Sequence, residues 1–230
     1  MKWQVLILSQ QSRNEMRADL LAELTKQMAG RDVVPLVMLY DPTLSLGDNR
    51  NRMLQLSRAE YVSFFDDDDW PAPDYVAKVL PLLDGVDYVG FQVQTYCAHF
   101  DYWPYGQTFH SLRYNDWSRE GMNFYRDISH INPMRRELAI QGRFVDASKN
   151  FGEDANWAAS MRKLGIVKTE HYIPEVMYHY IWRAMKRDSF DLADTRRINL
   201  VESIKGTNKS AHHSCPECEK AFGRPNAFAP

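Results

Sequence analysis

The feature that most constrains the fold is a short apolar run that leads directly into four aspartates. Residues 61–65 (YVSFF) have the composition of a strand buried in a parallel sheet, and Asp66–Asp69 follow without a break. Adjacent carboxylates repel one another, and a hard divalent cation relieves this repulsion because it prefers oxygen ligands. The run therefore predicts a strand that ends at a cation and phosphate site. The alternative is a solvated acidic turn that caps the next helix.

Strand-like and helix-like segments alternate around this run. Apolar runs at residues 3–9 and 33–40 predict two further strands. The segment 47–58 has the spacing of a helix, with Met53, Leu54 and Leu56 facing the core. This alternation predicts an α/β fold, in which helices flank a mostly parallel sheet and ligands bind beyond the carboxyl ends of the strands.

The rest of the chain is less regular. Residues 99–120 are rich in aromatic side chains and lack a clean period, so they predict a long loop or an irregular hairpin. The polar segment 206–230 predicts a tail. Because 44% of the 230 residues are hydrophobic and 25% are charged, we expect one packed domain before that tail.

Composition and charge argue against several classes of protein. The net charge of −2 provides no strong basic field that would recruit nucleic acid. The chain lacks a run of about 18 apolar residues and a recognisable signal peptide, so we expect no membrane span. With only three cysteines, a disulfide framework is not expected, and a reducing cytoplasm is the predicted location.

A second acidic motif lies far downstream, in residues 151–157 (FGEDANW). Glu153 and Asp154 fall in the first turn of a helix predicted over residues 153–164, where negative charge suits the helix dipole. A positioned carboxylate can remove the proton of an alcohol that acts as a nucleophile. The alternative is that both residues are only N-terminal helix charges.

Together the two motifs resemble glycosyltransferase family 2, particularly its small bacterial and phage-encoded members. Residues 46–70 (LGDNRNRMLQLSRAEYVSFFDDDDW) are similar to the central segment of that family, which ends in Asp-x-Asp-Asp. Residues 151–157 resemble its Glu-Asp motif, which an aromatic residue follows. The resemblance covers residues 3–182 and implies the Rossmann-like GT-A fold. It also implies a nucleotide-sugar half at 1–98 and an acceptor half at 99–205.

The resemblance assigns the donor and metal positions. It implies that Asp66 lies near the ribose and that Asp68, with Asp66, holds the Mn²⁺ or Mg²⁺ that bridges the donor diphosphate. A late histidine often joins the metal shell, for which His179 is the first choice and His171 the second. A packed, hydrogen-bonded histidine is the alternative. The donor-binding positions implied are Ser9, Gln11, Arg13, Asp41, Arg50, Asn51, Asp66 and Asp67.

The resemblance also assigns the catalytic and acceptor positions. Asp154 would be the base that deprotonates the acceptor hydroxyl, while a metal stabilises the departing diphosphate. Glu153 would orient the acceptor or the donor. The residues expected on the acceptor side are Trp103, Trp117, His130 and Trp157.

The function that these assignments imply is metal-dependent, inverting transfer of a sugar from a nucleotide-sugar, with a UDP-sugar favoured. The expected acceptor is the hydroxyl of a glycan or lipid-linked saccharide, and the second option is a hydroxymethylated base in phage DNA, in the cytoplasm of the bacterial host. One alternative is a nucleotidyltransferase, although that class favours a glycine-rich loop after the first strand, and residues 9–14 (SQQSRN) lack one. Another is a nucleotide-sugar-binding module without catalysis.

A cysteine and histidine group near the C-terminus resembles half of a structural zinc site. Cys215 and Cys218, with His212 and the adjacent His213, can just supply the four ligands that structural zinc requires, although neighbouring histidines are awkward ligands for one ion. The alternative is an unstructured tail.

Overall fold

The structure is a computed structural model that describes residues 1–97, 103–115, 117–148 and 151–182, together with Ile204. The candidate zinc ligands His212, Cys215 and Cys218 lie outside the described residues. Within these ranges, none of the helices combines the length and the hydrophobicity that a bilayer span requires.

The described elements follow the predicted alternation through the first three strands. The strands are β1 (Trp3–Ser9), β2 (Val33–Leu39), β3 (Tyr61–Phe64), β4 (Trp70–Pro71), β5 (Tyr88–Cys97), β6 (Trp103–His110), β7 (Ser118–Glu120), β8 (Asn123–Arg126), β9 (Met134–Arg135) and β10 (Glu170–Trp182). The helices are α1 (Asn14–Met28), α2 (Leu46–Leu56), α3 (Tyr75–Val79), α4 (Arg136–Ala139) and α5 (Glu153–Leu164).

One sheet joins the strands in the order β2-β1-β3-β9-β5-β6-β8-β7, and β10 pairs with β5 and β4. Strand β1 is parallel to both β2 and β3, and β5 is parallel to β10 along its whole length. Antiparallel pairing joins β9 to β3 and β6 to β5. The mostly parallel sheet flanked by helices confirms the predicted α/β class.

The core lies on both faces of this sheet, because successive side chains of a strand point to opposite sides. Val5 and Ile7 of β1 pack in one cluster with residues of α1 and α3. Leu6 belongs to the other cluster, which includes Met53 of α2 and Trp157 of α5. Helix α2 precedes the strand that leads into the first acidic motif, and α5 begins with the second motif. Both helices therefore pack in the same apolar layer.

Two local predictions need correction. The segment 103–110 is not a loop, because it forms β6 and pairs antiparallel with β5, as the hairpin alternative predicted. Leu56 does not face the core, since it is 47% exposed, whereas Met53 is fully buried and Leu54 is 2% exposed. At 100° per residue, Leu56 lies about 110° around α2 from the midline between Met53 and Leu54.

Substitutions in α2 test this orientation. We expect Met53→Ala to lower the free energy of unfolding by about 2–5 kcal/mol, because it leaves a cavity under the sheet. Leu56→Ala should change that free energy by no more than about 0.5 kcal/mol, because the side chain is half exposed. Urea unfolding of the two variants and the parent measures both. Equal losses would show that α2 is rotated from the orientation described.

Candidate active site

The four aspartates that follow β3 divide into two pairs that face in different directions. Asp67 and Asp69 are buried, each with 1% of its surface exposed. The side chain of Asp68 remains 17% exposed and that of Asp66 33% exposed. The loop thus turns alternate carboxylates inward and outward at the carboxyl end of the parallel strands.

Asp67 fastens this loop to the end of β1. Its carboxylate accepts hydrogen bonds from Ser9 Oγ at 2.6 Å, from the Gln10 amide at 3.2 Å and from Arg13 Nη1 at 2.7 Å. Ser9 is fully buried. Ser9 and Asp67, two of the predicted donor-binding residues, thus have buried side chains that bond to each other, and their role towards a donor stays a prediction.

Asp69 fastens the loop to β10. It accepts hydrogen bonds from Tyr178 Oη at 2.6 Å and from the Ile181 amide at 2.8 Å, and the same Tyr178 Oη accepts from the Asp66 amide at 3.2 Å. Burial, followed by the charges of Asp68 and Asp66, raises the pKa of Asp69 well above its usual value. These hydrogen bonds to β10 therefore fix the position of the acidic loop relative to that strand.

Arg13 forms ion pairs with two carboxylates of the acidic loop. Its Nη1 lies 3.0 Å from Asp68 Oδ2 as well as 2.7 Å from Asp67 Oδ1. Burial alone would lower the pKa of Arg13, but the charges of Asp68 and Asp67 raise it overall. Arg13 is thus positioned to neutralise the outward-facing carboxylate of Asp68.

Arg50 joins the two acidic motifs. Its Nη2 donates to Asp66 Oδ1 at 3.0 Å, and its Nε lies 3.1 Å from Glu153 Oε1. The guanidinium is buried, with its carbon 5.1 Å from the ring centre of Phe64 and 5.9 Å from that of Phe144. One side chain of α2 therefore brings the start of α5 to the end of β3.

The second motif presents its two carboxylates differently. Gly152 precedes α5 with φ of 78°, a conformation that glycine adopts readily. Glu153 is 4% exposed, and burial raises its pKa although the charge of Arg50 opposes this. Asp154 is partly exposed, and no residue in the described ranges forms a hydrogen bond or ion pair with it. Asp154 is therefore the more exposed carboxylate of this motif.

The histidine predicted for the metal is buried beside this loop. His179 Nδ1 lies 3.1 Å from Tyr96 Oη, and burial lowers the pKa of His179 to about 4. Within the described ranges, no three or more histidine, cysteine, aspartate or glutamate side chains are arranged to hold a metal ion. The predicted set of Asp66, Asp68 and His179 is thus not preassembled. The second choice, His171, is exposed and bonds to the Leu82 carbonyl at 2.8 Å.

The remaining donor positions have mixed surroundings. Asn51 exchanges two hydrogen bonds with the backbone of Phe144, at 2.8 and 3.0 Å, which is a structural role. Asp41 lies after β2, and hydrogen bonds from Thr43 lower its pKa. Gln11 is exposed in the 3₁₀ turn that follows β1.

The residues predicted for the acceptor side differ in their exposure. Trp157 is 3% exposed and its ring stacks on Phe144 with centroids 5.2 Å apart, so it lies on the buried face of α5 that the helical spacing predicts. Trp117 is 51% exposed, and His130 is buried with its ring centre 6.1 Å from that of Phe144. The side chain of Trp103 lies outside the described residues.

The contacts of three further residues in this region are not predicted by the sequence. Tyr178 was seen only as part of a strand, and nothing in its neighbourhood marked the contact to the aspartates. Arg126 and His110 are buried at the ends of β8 and β6, where their strands pair in parallel. Burial, and then the charge of Arg126, lowers the pKa of His110 to about 3.

His110 makes stability depend on pH. Its pKa is lower in the folded protein than the unfolded value of about 6.5, so the unfolded state binds more protons between these values and stability falls as the pH falls. We expect the histidine to contribute a loss of about 2 kcal/mol between pH 7 and pH 5. His110→Gln should lose that share, as measured by urea unfolding at both pH values.

The matched control is His171→Gln, because His171 is exposed. It should retain the parent's full loss of stability between pH 7 and pH 5. An unchanged pH dependence in His110→Gln would contradict the assignment.

The mostly parallel α/β sheet, with the acidic loop after β3 and the Glu-Asp pair at the start of α5, has the architecture of the GT-A fold. Residues 3–142 match the family model described as glycosyl transferase family 2. The chain belongs to that family.

Solved structures support the fold. Against S. aureus TarS 1-349, the chain has a TM-score of 0.54 at 14% identity, covering 79% of this chain and 60% of that one. The complex of the same fragment with UDP-GlcNAc gives 0.52 at 13% identity, with coverages of 89% and 66%, and the complex with UDP gives 0.54 at 15%, with 79% and 61%. The chain thus spans about three fifths of the TarS fragment. A search of curated proteins finds no match.

Proposed function

We propose that the chain transfers a sugar from a UDP-sugar to an acceptor hydroxyl with inversion, and that it requires Mn²⁺ or Mg²⁺. The observation that carries the proposal is the position of Arg50, which contacts Asp66 and Glu153 at 3.0 and 3.1 Å. A transferase needs a donor site and a base next to each other, and the proximity of the two acidic motifs through Arg50 supports that arrangement. The TarS complexes with UDP and UDP-GlcNAc favour a UDP-linked donor.

The outward pair of carboxylates fits a divalent cation. Burial, together with the charges of Asp68 and Asp67, raises the pKa of Asp66, although Arg50 opposes this, and a cation would relieve the repulsion between the carboxylates. Asp66 and Asp68 would supply two oxygen ligands, and the donor diphosphate would supply others, as is usual for Mg²⁺. When bound, the metal stabilises the negative charge of the departing diphosphate.

Asp154 acts as the base in this proposal. Its carboxylate is partly exposed at the start of α5, beside the buried Glu153 that Arg50 holds. It takes the proton of the acceptor hydroxyl as the oxygen attacks the anomeric carbon and the bond to the diphosphate breaks. Glu153 positions Asp154 through the backbone that they share. The acceptor we propose is a saccharide that attacks through one of its hydroxyls. The side chain of Trp117 is exposed, so that the ring of this sugar can stack against it.

A donor screen tests the proposal. Release of UDP should be detectable from one UDP-sugar in the presence of Mn²⁺ and should be lost with EDTA, because the diphosphate then leaves without its cation. Asp154→Asn should reduce transfer about 10²- to 10⁴-fold while leaving UDP affinity unchanged, since it removes only the base.

Asp48→Asn is the matched control, because Asp48 also lies in the first turn of a helix, α2, but is exposed and pairs with Ser45. It should retain parental transfer. Full activity in Asp154→Asn would remove the base assignment, and consumption of no donor with any divalent metal would overturn the proposed reaction.

A further inference from the structure

Arg126, the last residue of β8, is a buried cation without adequate compensation. It is 6% exposed, its Nη2 donates to the Ile128 carbonyl at 3.3 Å, and its Nε is buried without a hydrogen-bond partner. In the part of the chain that the structure describes, no carboxylate forms an ion pair with it. Burying a charged group costs free energy unless it is paired and hydrogen-bonded, so this arginine calls for a partner.

His130 is a second unsatisfied polar side chain in the same region. It is 8% exposed, and neither ring nitrogen has a hydrogen-bond partner. Its ring centre lies 5.8 Å from that of Phe64 and 6.1 Å from that of Phe144, the two rings that also flank Arg50. His130 therefore lies next to the contact that joins the acidic motifs.

The neighbouring charges do not satisfy Arg126. Asp127 is engaged by Arg162, whose Nη1 lies 2.8 Å from its carboxylate. Burial lowers the pKa of Arg126, and the largest charge that opposes this belongs to Asp154, the candidate base. The exposed ring of Trp117 covers the guanidinium, with its centre 4.7 Å from the guanidinium carbon. The guanidinium of Arg126 thus lies under an exposed aromatic ring and within reach of the charge of Asp154.

We propose that Arg126 and His130 form a subsite for a carboxylate or phosphate group carried by one of the two sugar substrates, beside Asp154. This proposal rests on the proposed function. A guanidinium presents N–H donors in a fixed fork that matches the oxygens of both groups, and a neutral imidazole adds one further N–H donor. The anion would supply the charge that Arg126 lacks, and Trp117 offers the sugar ring an apolar face.

The charged group could belong to the donor or to the acceptor, and calorimetric titration of the full chain with Mn²⁺ distinguishes the two. The donor arm compares UDP-glucuronate with UDP-glucose. The acceptor arm compares glucose 6-phosphate and glucuronate with glucose, each added to protein saturated with UDP. We expect the charged ligand of one arm to bind about tenfold to a hundredfold more tightly than its neutral counterpart, the range of a charge-assisted hydrogen bond.

Variants at the subsite sharpen the test. Arg126→Met should abolish the preference for the charged ligand without lowering the melting temperature, because it removes a poorly compensated buried charge. Arg126→Lys should keep the charge but lose most of the preference, since the forked geometry is gone. The matched control is Arg119→Met, because Arg119 on β7 also lies over an aromatic ring, Phe124, but is exposed. It should retain the preference.

The outcomes separate this proposal from the one on which it rests. If UDP binds and the parent protein shows no preference in either arm, the subsite is wrong and the transferase proposal stands. If neither UDP nor any UDP-sugar binds, the proposed function itself fails. A preference that persists in both Arg126 variants would overturn the assignment to Arg126.

Discussion

The site depends on one buried guanidinium. Arg50 lies between Asp66 and Glu153 and against the rings of Phe64 and Phe144. A charge removed from water in this way is tolerated because two carboxylates compensate it, and the removal of one partner from such a buried pair typically costs about 3–5 kcal/mol. The acidic loop and the start of α5 therefore hold each other in place, and neither position is set by local sequence alone.

Buried and partly exposed carboxylates alternate along the acidic loop. Asp67 and Asp69 point inward and accept hydrogen bonds from β1, the 3₁₀ turn and β10. This anchoring leaves Asp66 and Asp68 partly exposed, side by side, where the proposed cation would relieve the repulsion between them. Asp67 and Asp69 are buried because they anchor the loop, whereas the proposed role of Asp66 and Asp68 requires that they stay partly exposed.

The sequence was sufficient to predict the elements that depend on local patterns. The strand that ends in Asp66, the helix that begins at Glu153 and the α/β class all follow from apolar periodicity and charge. The predictions failed where long-range packing decides. Trp157 carries no local sign that its ring stacks on Phe144, and nothing near Arg126 in the sequence shows that its strand buries it.

The burial of Asp67 and Asp69 also depends on contacts between distant parts of the chain. Sequence similarity treats Asp67 as a donor contact because of its place in the motif, whereas its hydrogen bonds come from residues more than fifty positions earlier in the chain. Tyr178 is a comparable case, since its contact to Asp69 spans 109 positions. Such pairs become visible only when the sheet brings the strand ends together.

A double-mutant cycle between Arg50 and Glu153 tests most directly whether their contact holds the two motifs together. The quantity measured is the free energy of unfolding in urea. The variants are Arg50→Met, Glu153→Gln and the pair together. If Arg50 joins the motifs, the two substitutions are coupled by about 0.5–3 kcal/mol, because each single change leaves its buried partner uncompensated. Effects that add within about 0.3 kcal/mol would show that the two motifs are not held together by this contact.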